Sequence, residues 1–264
     1  MSRLGSDELV VEDDGGVRCI TLSRPEKLNC FTEVMFDDLT AILVDSEVDH
    51  GVRCVVLTGT GRAFSAGWDL AEMGKKIAHD DGRRHGPSPC IEELIRFPKP
   101  LISAVNGLAI GFGATTPLHS DVAIASSDAR FRFPFAELGL AGESAVTATL
   151  AARVGYQEAA RLLLTCDWVD AEEAAAIGLV WKVVPPEDLR ACALDLAGRI
   201  ARHPRQSVTA TKRLLLASKV DAVRAAFARE LDNYAVLLGG PANREAIEAV
   251  SRKRQAKQTG DEST

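Results

Sequence analysis

The chain has 264 residues, 46% of them apolar and 26% charged, with a formal net charge of −6. That balance predicts a soluble globular protein with one large core, and the acidic excess argues against nucleic acid or an anionic membrane as a partner, since either calls for a basic face. The six cysteines form no C-x-x-C or Cys/His pattern, residues 1–16 lack an apolar leader core, and no apolar run is long enough to span a bilayer; reduced thiols, no metal site and a cytoplasmic protein are therefore expected.

Residues 8–24 alternate as two short strands around Asp13-Asp14-Gly15-Gly16, a hairpin signal with Val17, Ile20 and Leu22 facing the core. From Thr32 a helix is expected, because Met35, Phe36, Leu39, Ile42 and Leu43 recur at helical spacing. Val52 to Thr58 reads as a buried strand running into Gly59-Thr60-Gly61. A dinucleotide site would need a third glycine where Phe64 stands, and a hydrolase elbow would need glycine where Ala63 stands, so Ser65 reads as a turn residue.

Residues 71–89 are polar, with three glycines, two prolines and no clean period, the composition of a mobile loop or irregular helix that carries substrate contacts. A short helix through Ile91, Leu94 and Ile95 stops at Pro98. Residues 103–144 follow, the stretch around which the chain is organised. Gly107, Gly111 and Gly113 lie between two strand-like runs, 101–105 and 121–125, and suit close backbone approach or positive φ. Glu143 sits among apolar neighbours just ahead of a small-residue helix over 144–153; taken alone, it is either a helix-capping carboxylate or a functional one. His119, the histidine nearest these features, reads as a hydrogen-bonded core residue.

After Gly155 helices dominate: 157–165, then one opened by Asp170-Ala171-Glu172-Glu173 as a capping box and closed by Gly178, then a strand-like run over 179–184. From Pro186 onward three apolar stripes are expected. They run through Leu189, Leu194, Leu196 and Ile200; through Leu214, Leu215 and Leu216; and through Ala225, Phe227, Leu231, Tyr234 and Leu237. The expected organisation is a core domain over 1–185, a helical region over 186–257 and a disordered tail over 258–264.

Residues 104–113 read A-V-N-G-L-A-I-G-F-G and residues 61–70 read G-R-A-F-S-A-G-W-D-L. Together with Arg24-Pro25-Glu26-Lys27-Leu28-Asn29 and the C-terminal Arg252-Lys253-Arg254, these closely resemble the hallmarks of the enoyl-CoA hydratase/isomerase (crotonase) superfamily over nearly the whole chain. The resemblance implies an α/β fold, a spiral of β-β-α units with a C-terminal helical trimerisation region. It also implies an acyl-CoA thioester as partner, a homotrimer or dimer of trimers, and no cofactor beyond the CoA carried by the substrate.

By the same resemblance, backbone N–H groups of Ala66 and Phe112 hold the thioester oxygen. Lys27, Leu28, Gly67, Trp68, Asp69, Leu70, Gly111, Gly113, Thr115 and Lys253 contact substrate. The two hydratase glutamates are replaced by Thr115 and Phe135, whereas Phe133 to Glu143 resembles the P-F-x-x-L-G-x-x-x-E segment of peroxisomal-type Δ3,Δ2-enoyl-CoA isomerases, in which the last glutamate is the base. An isomerase of 3-enoyl-CoA with Glu143 as base is the implied activity. A hydratase and a non-catalytic acyl-CoA binder are the alternatives.

Overall fold

The computed structural model describes residues 6–73 and 84–259. Two sheets and a set of covering helices form the chain, and each sheet takes alternate strands of the same walk along the sequence. The larger sheet contains β1 (Leu9–Asp14), β2 (Val17–Leu22), β3 (Cys54–Gly59), β5 (Leu101–Val105), β7 (Val122–Ser126) and β10 (Lys182–Val184), in that order. The smaller contains β4 (Ala63–Ser65), β6 (Leu108–Ile110), β8 (Arg130–Arg132) and β9 (Val169–Asp170). Strands β3, β5 and β7 are each followed at once by β4, β6 and β8, so every turn of the spiral adds one parallel strand to each sheet. The opening hairpin β1–β2 pairs antiparallel, as the Asp-Asp-Gly-Gly turn predicts.

Strands buried on both faces read as continuous apolar runs, and here the two faces feed two cores. Ile20, Val55, Leu57, Leu101 and Val105 point to the major core, under α1 (Glu33–Val48), α2 (Pro87–Arg96) and α3 (Phe112–His119). Cys19, Val56, Ile102, Ala104 and Ile124 point the other way, onto α7 (Leu189–Ala201). Helix α1 begins where expected, with Met35 N–H donating to the Thr32 hydroxyl at 3.2 Å.

Helix α7 differs from its expected stripe. It buries Leu189, Ala193, Ala197 and Ala201, while Leu194, Leu196 and Ile200 lie half-buried along its flanks. A helix lying closely on a sheet selects its smallest side chains for the seam. Although it follows Pro186, α7 therefore closes one face of the main sheet. The run 179–184 is strand only from Lys182, because the Leu179 and Val180 N–H groups both donate to the Ala174 carbonyl and close α6 (Ala171–Ala176).

The remaining helices are α4 (Val146–Val154), α5 (Tyr156–Thr165), α8 (Arg205–Ala217), α9 (Val220–Leu237) and α10 (Pro241–Thr259). Helix α10 includes Gln258 and Thr259; the rest of the expected disordered tail lies outside the described residues. So does most of the polar segment 71–89, whose last residues open α2 at Pro87. No helix among the described residues is long and apolar enough to cross a membrane.

Candidate active site

The strand β4 is set beside β6 by two asparagines that hold the turn between β3 and β4. Asn29 is fully buried; its side chain accepts from Arg24 N–H at 2.8 Å and donates to the carbonyls of Thr60 and Ala63 at 2.9 and 2.8 Å. Asn106 accepts from Gly59 N–H at 3.1 Å and donates to the Gly61 and Ala63 carbonyls at 3.0 and 3.1 Å. A turn has no ladder to satisfy its carbonyls, and these amides supply the missing donors. In the A-V-N-G motif, then, asparagine is structural.

Beyond β4 the chain passes through Ser65, whose hydroxyl donates to the Asn29 carbonyl at 2.8 Å and accepts from Gly67 N–H at 3.1 Å. That is the turn role expected of it. The Gly67 carbonyl accepts from Phe31 N–H, and Asp69 N–H donates to the Phe31 carbonyl, both at 2.9 Å or less. Ala66 N–H donates to the Leu28 carbonyl at 2.9 Å. This overturns the expected donor role of Ala66, because a hydrogen already committed to a carbonyl of the fold is not available to a ligand. The N–H of Trp68, one residue past the glycine, has no acceptor among the described residues. Neither does that of Phe112, the first residue of α3, where helix geometry leaves the N–H unpaired and the dipole favours negative charge.

Gly67, the residue before Trp68, lies against the start of α3. Its φ is +86°, and a β-carbon there would stand 2.6 Å from the Ile110 carbonyl oxygen and 3.3 Å from the Phe112 nitrogen, so only glycine lets the two segments meet. Gly113 serves a different purpose from the substrate contact expected of it. A β-carbon at 113 would stand 2.0 Å from the Ser65 carbonyl oxygen, so this glycine allows α3 to seat directly on β4.

Glu143 enters from the loop before α4. Ser144 and Ala145, which follow it, are both left-handed, at φ 63° and 56°. Non-glycine residues hold such a conformation only where surroundings enforce it. Here His119 Nε2–H donates to the Ser144 carbonyl at 2.9 Å, and Glu230 from α9 accepts from the Thr147 N–H and hydroxyl at 2.8 and 2.6 Å. Burial pushes the His119 pKa down to about 4, so the ring is neutral, in keeping with its predicted core role. The Glu143 pKa is pushed up to about 7, first by burial and then by the nearby Glu230 carboxylate.

A cavity of about 220 Å³ gathers these features. Ala66, Gly67, Trp68, Gly111 and Phe112 form one wall, Phe135, Leu138, Leu140 and Glu143 another, and Leu28 and Leu70 lie along it toward Val250 of α10. Other predicted residues stand apart. Asp69 pairs with Arg24 at 3.1 Å and does not line the cavity; Thr115 is fully buried and donates its hydroxyl to the Phe112 carbonyl at 3.1 Å. Lys27 is exposed and away from the cavity, and the Lys253 side chain lies outside the described residues. Glu137 does line the cavity, half-exposed and paired with Arg132 at 2.5 Å.

An unpaired backbone donor pair beside a carboxyl held near neutrality is the geometry that the hallmark motifs imply, and the comparisons agree. The enoyl-CoA hydratase/isomerase family model matches residues 12–260. The chain belongs to that family. Its enzymes act on CoA thioesters. It is 36% identical to 1,2-epoxyphenylacetyl-CoA isomerase of Escherichia coli K12, covering 93% of this chain and 95% of that one. It is 31% identical to short-chain-enoyl-CoA hydratase of Clostridium acetobutylicum, over 94% and 96% respectively. The crystal structure of an enoyl-CoA hydratase/isomerase from Pseudoalteromonas atlantica superposes with a TM-score of 0.90 at 32% identity, covering 94% of this chain and 98% of that one.

Within this family frame, Glu230, which lines a second cavity with Glu143, is a candidate residue that the motifs did not mark. It lies three residues after Phe227 and four before Tyr234, on the buried face of α9 with Val223 and Ala226. A carboxylate inside an apolar stripe is the available signal. Of the expected stripe, Phe227 and Tyr234 lie on that face, whereas Ala225, Leu231 and Leu237 are exposed beside it.

Proposed function

We propose that this family member moves a 3-enoyl-CoA double bond to the 2-position, through a thioester enolate held by the Trp68 and Phe112 N–H groups and a single base, Glu143. The observation that carries the reading is the environment of Glu143: no cation pairs with it among the described residues, and burial holds its carboxyl near neutral pH. The carboxylate takes a proton from C2, negative charge moves onto the thioester oxygen between the two N–H groups, and the same carboxyl returns the proton at C4. Each donor of this kind is worth about 2.7–4 kcal/mol of barrier, and the proton transfer about 10²–10⁴-fold in rate. The likeness to peroxisomal-type isomerases in residues 133–143 supports the same reading, and so does the isomerase name carried by the E. coli relative.

Glu143→Gln is the test. Loss of 3-enoyl-CoA isomerisation by about 10²-fold or more with thioester affinity retained is expected; a variant keeping over about a tenth of kcat places the base elsewhere. In the wild type kcat/KM rises with pH through about 7, because the base works only when ionised. Glu230 shares a cavity wall with Glu143, which favours hydration as the second reading, since adding water is served by two carboxyl groups. Release of a 3-hydroxyacyl-CoA from a 2-enoyl-CoA would establish it.

The reading includes a cytoplasmic homotrimer or dimer of trimers acting in fatty-acyl metabolism. Leu214 and Leu215 of α8, 75% and 62% exposed, supply apolar surface for such contacts. A monomeric mass by sedimentation at micromolar concentration would refute the assembly.

A further inference from the structure

A second cavity, about 130 Å³, lies beyond Glu143 and shares that residue and Trp68 with the first. Ile91, Phe227, Glu230 and Tyr234 also wall it. Its size approaches that of an engineered apolar cavity of roughly 150 Å³ that takes up benzene, so a group of about six heavy atoms fits. The two cavities meet at Trp68 and Glu143, so an acyl group that extends past Glu143 from the first reaches this space.

The walls carry an unusual set of polar atoms. Trp68 Nε1, Glu230 Oε2 and Tyr234 OH are each buried without a hydrogen-bond partner among the described residues. Glu230 is held by its other oxygen, Oε1, which accepts both bonds from Thr147 and so fixes the carboxyl in place. Phe227, Glu230 and Tyr234 occupy one face of α9, and Trp68 follows Gly67 in the donor segment. Leaving a buried donor or acceptor unmatched costs about 1–3 kcal/mol each. Three such atoms on residues that line one cavity point to a ligand rather than a core.

Resting on the reading above, we infer that this enzyme selects acyl-CoA thioesters whose acyl group carries a hydroxyl beyond the reacting carbons, bound by Trp68 Nε1, Tyr234 OH and Glu230 Oε2. A hydroxyl accepts two hydrogen bonds and donates one. The indole N–H and the phenol O–H supply the two donors, and Glu230 Oε2 is the acceptor. The aromatic rings of Trp68, Phe227 and Tyr234 enclose the carbon frame. Tyr234 stays protonated at any working pH, because burial and then the Glu143 carboxylate raise its pKa, so it remains a donor. A site built to bond a substrate hydroxyl discriminates strongly against the analogue lacking it, since its own polar groups are then left unmatched.

The test uses thioesters with no alkene to move: pentanoyl-CoA against 5-hydroxypentanoyl-CoA, and phenylacetyl-CoA against its meta- and para-hydroxylated isomers. Calorimetry gives the ratio of dissociation constants, parent over hydroxylated, within each protein. In the wild type at least one hydroxylated ligand binds about tenfold or more tightly than its parent, and that ratio falls toward one in Tyr234→Phe and in Glu230→Gln. Equal affinities across every pair, as when the cavity keeps a water on these atoms, overturn the inference. So does a preference that survives in both variants. Gln at 230 keeps the oxygen that caps α4, and if that variant fails to fold, Tyr234→Phe decides alone. Binding of no acyl-CoA at all removes both readings; a hydroxyl preference without isomerisation leaves this one standing and removes the other.

Discussion

The two sides of the main sheet are built on opposite terms. Under α7 the contact is made by Ala193, Ala197 and Ala201 against Val56, Ile102 and Ile124, with every side chain apolar and closely fitted. At the corner where α9 meets α4, two carboxyl groups, a phenol and an indole N–H are buried, and two consecutive residues are left-handed without glycine. The first arrangement stabilises the fold. The second buries polar atoms without partners beside left-handed non-glycine backbone, which lowers stability.

The comparison is broken most directly from its stable side. Ile102→Ala leaves a void under α7 that alanines cannot fill and should cost about 2–5 kcal/mol in denaturant unfolding, with thioester affinity of the folded protein unchanged. Retained affinity with lost stability separates the two sides; coupled loss of both would join them.

The next effect has the opposite sign. The folded pKa of Glu143, about 7, lies above its ordinary 4.5. Below pH 4.5 the group is protonated in folded and unfolded chains alike; as pH rises from 4.5 to about 7 the unfolded chain gains its charge first and stability falls, levelling off above that. Glu143→Gln should remove that fall and stabilise the protein by about 1–3 kcal/mol at pH 8 while leaving it unchanged at pH 4. Melting curves at the two pH values check this, and equal effects at both would mean that the carboxylate is not disfavoured by the fold.

The smallest effect sharpens the assignment of roles within the cavity. Glu137 is half-exposed and bonded to Arg132, and such pairs contribute at most about 1 kcal/mol. Glu137→Gln should leave kcat and stability near wild type, and a loss comparable to that of Glu143→Gln would exchange the two assignments.

Elements with a clear period or turn signal were legible: the hairpin, α1 with its Thr32 cap, and the strands flanking Gly107 to Gly113. Periodicity misplaced the buried face of α7, because leucines draw attention where alanines make the contact. The motifs marked Phe112 and Glu143, which line one cavity, but which neighbouring N–H is already spent was not legible, since the bond from Ala66 ends on the Leu28 carbonyl, far away in sequence. Glu230 and Tyr234 could not be joined to Trp68 by spacing, because more than half the chain separates them.

The donor pair consists of backbone alone, and Gly113 seats α3 so tightly on β4 that even a methyl group there would force the two apart. Side-chain replacement at Trp68 or Phe112 does not delete the N–H it carries. Heritable change therefore has little purchase on the electrophilic half of this site and much on its far wall, where Tyr234, Phe227 and Glu230 hang from one late helix. On the proposed reading, a lineage carrying this scaffold can exchange one acyl group for another by rewriting a few positions of that helix, with the backbone N–H groups inherited intact.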